Sequence, residues 1–150
     1  MEKLNLNWKG PFEMTIETPD WAEGKKGLFV ITHDVGLFYV GKAQEGRNAV
    51  FKEAKNRENK WINCLKRIGT LPSNIAEAAA RKYVHKHCKI YVALIDGVQP
   101  RWIGKAEEYL IIKLQKQLPC NSLVENKHEL ERIFSIINSG SLPPGLPQIL

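Results

Sequence analysis

Glu107 is placed where a carboxylate needs a chemical reason. It precedes Leu110, Ile111 and Leu114 by three, four and seven residues, so on a helix it shares their apolar face. A carboxylate there is costly unless it is paired or bound to a metal ion. Tyr39 stands in an apolar run, Leu37-Phe38-Tyr39-Val40, just before Gly41 and Lys42, and Arg47 follows eight residues later. A carboxylate, a phenol and a guanidinium suit phosphodiester hydrolysis. That reaction needs a deprotonated nucleophile, a stabilised pentavalent phosphorane and a neutralised leaving group.

Each residue also has a purely structural reading. A tyrosine on a buried strand is usually core, with its hydroxyl bonded to backbone. An arginine at a helix start is usually surface, and the edge of an apolar stripe lets a glutamate reach water.

The charge distribution favours phosphate as the partner. The net charge is +6, and residues 41–90 hold twelve Lys and Arg against four Asp and Glu. The excess lies directly after Tyr39-Val40-Gly41, as expected of a phosphate-backbone binder. A solvated helical face would give the same count. No apolar run reaches the roughly 20 residues that cross a bilayer, and the N-terminus has no signal-peptide core. Three cysteines, Cys64, Cys88 and Cys120, are an odd number at unrelated spacings. They argue against a disulfide framework and for a reducing, cytoplasmic location.

The elements that must position these groups are short. Residues 1–24 read as an ordered arm or edge strand. Leu28-Phe29-Val30-Ile31 and Leu37-Phe38-Tyr39-Val40 are apolar on both faces, as central strands are. Thr32 to Gly36 turns between them, with Gly36 free to take positive φ. Helices are expected over 47–58, from Lys60 to a stop at Gly69, and over 75–86. A third strand spans 89–95, then helices span 103–117 and 129–138, and a Pro-rich tail from Ser139 is extended or mobile. One domain of 150 residues is the natural division.

Gly27-Leu28-Phe29 and Tyr39-Val40-Gly41 resemble the two halves of the motif that names the GIY-YIG nuclease family. Tyr39-Val40-Gly41-Lys42-Ala43 looks like the version in the nuclease domain of the excision-repair subunit UvrC. The family pattern continues with an arginine on the next helix, matched by Arg47. A glutamate in a Glu-x-x-Leu-Ile setting follows, matched by Glu107-Glu108-Tyr109-Leu110-Ile111, and then Pro119-Cys120-Asn121. Phe29 stands where the family's first half ends in tyrosine. The Glu107–Pro119 spacing is about three residues longer than the family's usual form. The resemblance covers residues 25–122 and implies an α+β fold, a small three-stranded sheet flanked by helices. Residues 1–24 would then be an N-terminal arm, and 123–150 a C-terminal helix and tail.

The resemblance implies a metal-dependent endonuclease acting on double-stranded DNA. Glu107 would hold one Mg²⁺ or Mn²⁺, an ion that takes oxygen ligands and keeps several waters. Arg47 would hold a non-bridging phosphate oxygen, and Tyr39 would take or relay the proton of the attacking water. Phe29, Lys42 and Asn121 would support them, and Lys52, Lys55 and Arg57 would grip backbone phosphates. Glu108 is the alternative glutamate, and Arg57 and Arg81 are the alternative arginines. His85, His87 and Cys88, with Cys120, invite a zinc reading that matches no standard spacing. A non-cutting nucleic-acid-binding domain and a protein-interaction module are the other function classes open to this sequence.

Overall fold

The computed structural model describes residues 2–43, 50–95, 100–121 and 134–150. The fold is α+β. A mixed sheet of five strands is built from β1 (Glu2–Glu13), β2 (Gly27–His33), β3 (Gly36–Ala43), β4 (Cys88–Leu94) and β5 (Phe134–Gly140), in the order β3-β2-β4-β1-β5. The helices are α1 (Val50–Asn56), α2 (Glu58–Arg67), α3 (Glu77–His87) and α4 (Pro100–Leu114). None of them is long and apolar enough to cross a membrane.

The sheet therefore has five strands, not the expected three. β3, β2 and β4 are antiparallel neighbours, and β1 and β5 extend the sheet beyond β4. The arm is thus an internal strand. Leu6 and Trp8 are buried on the alternation that a strand requires. The helix expected over 129–138 is corrected as well. Residues 134–138 belong to β5, parallel to β1, and residues 129–133 lie outside the described residues. Asn138 is buried there and accepts a hydrogen bond from the Trp8 indole at 2.9 Å. The chain end covers the outer edge of β5 through hydrogen bonds of Ile136 with Leu150 and of Asn138 with Gln148.

β2 is buried on both faces, as its continuous apolar run requires. Leu28 and Val30 face one core, with Ile103 and Leu110 of α4. Phe29 and Ile31 face the other, with Phe51, Trp61 and Val84 of α1 to α3. In the β2–β3 turn, Asp34 and not Gly36 takes positive φ, at 51°. Aspartate tolerates that region, and here its backbone N–H is held by the His87 carbonyl at 2.8 Å. α2 stops as its sequence predicts. Gly69 sits at φ 83°, Thr70 N–H returns to the Leu65 carbonyl and Gly69 N–H to that of Lys66.

Candidate functional site

The candidate site forms around β3, an edge strand of the sheet. Alternation sends Tyr39 and Lys42 to opposite faces of that strand. A bulge sharpens the arrangement. Tyr39 pairs with Ile31 and Leu37 with Thr32, so Phe38 is the extra residue. Phe38 and Tyr39 both join the core beneath α1 to α3.

Tyr39 is 3% exposed, and its ring lies 6.0 Å from that of Phe29 and 6.2 Å from that of Trp61. Among the described residues its hydroxyl meets two side-chain cations rather than backbone. Arg57 Nη1 donates to it at 3.0 Å and Lys60 Nζ at 3.4 Å. Arg57 occupies the break between α1 and α2, at φ −99° and ψ 13°. Its other terminal nitrogen lies 3.6 Å from Glu53 Oε2, one turn back. Glu53 thus steers the guanidinium onto the phenol.

Glu107 comes from α4, on the other face. Its side chain is 16% exposed, and Lys42 Nζ lies 4.0 Å from Oε1. Burial pushes its pKa up; the positive charges of Lys42, Arg57 and Lys60 oppose that rise, and Glu108 adds to it. The positive charges of Arg57 and Lys60, beside Tyr39, thus weigh on Glu107 as well. Glu108 is exposed, which leaves Glu107 as the inward glutamate.

Asn121 seals the edge of β3. It accepts from the Val40 N–H and donates to the Val40 carbonyl, both at 2.9 Å, as a neighbouring strand would. The adjacent Cys120 N–H reaches the Phe38 carbonyl at 3.4 Å. Cys120 is disulfide-bonded to Cys64 of α2, with Cα atoms 5.8 Å apart. This overturns the expectation that the cysteines form no disulfide framework; Cys88 is the free cysteine, and it is buried. Burial pushes its thiol up to about 12, so it is inert as a nucleophile.

The other expected residues divide clearly. Arg47 lies outside the described residues. Arg57, expected as a phosphate contact and a rival arginine, is the one on Tyr39. Lys52 is exposed. Lys55 is committed to the Ile16 carbonyl at 2.8 Å. Arg81 pairs with Glu77 at 2.7 Å. Phe29 is fully buried, with its ring across Gly41, where any Cβ would collide with it. The zinc reading dissolves because its members have separate partners. His85 meets Glu58, His87 meets Asp34, and Cys120 meets Cys64. Lys60 and Glu53 were missed, although Glu53, Arg57 and Lys60 recur at the i, i+4, i+7 spacing of one helical face.

Among the described residues no cluster of three or more His, Cys, Asp or Glu is placed to hold a metal. Any ion would rest on Glu107. The donor fits a hard cation that keeps most of its waters. Burial disfavours its charge and is opposed first by the Lys42 ammonium, 4.0 Å away. No protein-family model, curated protein or solved structure matches this chain.

Proposed function

We propose that this chain is a metal-dependent endonuclease that hydrolyses DNA phosphodiesters, with Tyr39, Arg57 and Glu107 as its reacting and binding groups. One observation carries the reading: the Tyr39 hydroxyl is held by the Arg57 guanidinium at 3.0 Å. A core tyrosine can satisfy its hydroxyl with a neutral backbone group, whereas this one faces a fixed charge. β3, the break between α1 and α2, and α4 supply these residues in the order of the GIY-YIG pattern, with Arg57 in the role expected of Arg47.

The chemistry follows from the placement. A water oxygen bonds to phosphorus as the bond to the leaving oxygen breaks. The Tyr39 hydroxyl relays the proton: its oxygen accepts the proton of that water as its own O–H proton passes to solvent, and the leaving oxygen takes a proton from solvent. Arg57 offsets charge on the non-bridging oxygens with the donors it has left. A divalent cation held by Glu107 would, when bound, supply positive charge at the leaving oxygen. Lys42 and the exposed Lys52 hold the backbone on either side.

A second reading is a DNA-binding domain that does not cut. Phe29 favours it, since a fully buried phenyl ring offers no hydroxyl to the reaction. Incubation of supercoiled plasmid with the protein in Mg²⁺, in Mn²⁺ and in EDTA decides between the two. Nicking that needs the metal and disappears in Glu107→Gln supports the nuclease. Salt-sensitive binding without nicking in any metal supports the second reading.

A further inference from the structure

We infer that Lys60 is a positioning residue for the same reaction: a second cation that stabilises negative charge on the Tyr39 oxygen while a proton passes through it. The inference rests on the nuclease reading. Its basis is the surroundings of one side chain. Lys60 Nζ lies 3.4 Å from Tyr39 Oη and 4.8 Å from the centre of the ring, so the ammonium sits against the hydroxyl end of the phenol. Arg57 Nη1 approaches the same oxygen at 3.0 Å. Two charge-assisted donors then converge on the oxygen of a side chain that is 3% exposed.

The rest of α2 argues against Lys60 as an ordinary surface lysine. It is the third residue of that helix, at the end where the backbone N–H groups already present positive charge and where cations are unfavourable. Glu58, the carboxylate of the same turn, is taken by His85 of α3 at 2.8 Å. Glu53 is turned to Arg57. Among the described residues the ammonium of Lys60 has no carboxylate partner, and the phenol oxygen is its hydrogen-bond acceptor. Arg57, Lys60 and the start of α2 thus form a concentration of positive charge aimed at one oxygen. Lys60 is also exposed, so its removal disturbs little packing.

The test is steady-state nicking by Lys60→Met and Lys60→Arg, with Lys66→Met as a control on the same helix. The expected result is a kcat lowered about tenfold or more in Lys60→Met. KM should stay within about twofold of wild type, because a lost phosphate contact would show in binding. Lys60→Arg should recover most of the rate, and Lys66→Met should match wild type. Wild-type kcat in Lys60→Met, or a rise confined to KM, overturns the role of Lys60 and leaves the nuclease standing. A wild-type protein that does not nick overturns both.

Discussion

Arg57 and Tyr39 meet at 3.0 Å, guanidinium to phenol, across eighteen residues of sequence. The contact depends on the break between α1 and α2, which turns Arg57 back over β3. It depends also on Glu53, which holds the far side of the fork. Arg57→Lys keeps the charge but loses the planar fork that spans both partners. The nicking rate of that variant should fall about 100-fold while its Tm stays close to wild type. Equal rates for the two proteins would remove Arg57 from the site.

Glu107 should cost stability at neutral pH. Burial raises its pKa, so the folded state holds the proton more tightly than the unfolded chain does. Such a group favours folding below the unfolded carboxylate value and loses that contribution as pH rises through the folded one. Glu107→Gln, which stays neutral, should therefore be inactive and also more stable at pH 7, with Tm raised by roughly 2 °C. The gain should shrink toward acid pH, where both side chains are neutral. Thermal melts of the two proteins across pH 3 to 8 would show this, and a gain that grows toward acid would contradict it.

How far the sequence could be read depended on how local each signal was. β2, β3, β4 and α4 could be read because apolar runs and helical stripes lie within a few residues. β1 carried a readable alternation in Leu4, Leu6 and Trp8 that scattered polar residues obscured. β5 could not be read locally, since its partner Trp8 lies 130 residues from Asn138 and the Ile136-Ile137 pair suits a helix as well. The break at Arg57 has no glycine or proline to announce it. That is why Arg57 read as a surface contact. Cys64 and Cys120 are 56 residues apart and meet only because α2 lies beside the segment after α4.

The disulfide should be chemically visible. Unfolded without reductant, the protein should show one thiol, that of Cys88, and three after reduction. Closing a loop of this length is worth on the order of 4 kcal/mol by chain entropy. Reduction or Cys64→Ser should then lower Tm by about 10 °C. Three thiols before reduction would contradict the linkage.

Asn121→Ala should leave the Val40 N–H and carbonyl without their partner at the sheet edge. The expected cost is about 1–3 kcal/mol, together with faster hydrogen exchange at the Val40 amide. Unchanged exchange would mean that another group closes this edge.

Tyr39→Phe removes one atom, the oxygen proposed to take part in breaking a phosphodiester. The ring would remain packed against Trp61 and Phe29, so folding and DNA binding should persist. The decisive measurement is the initial rate of Mg²⁺-dependent plasmid nicking by this variant against wild type at matched binding. The account predicts a rate lower by about 100-fold or more. Nicking by Tyr39→Phe at the wild-type rate would contradict it.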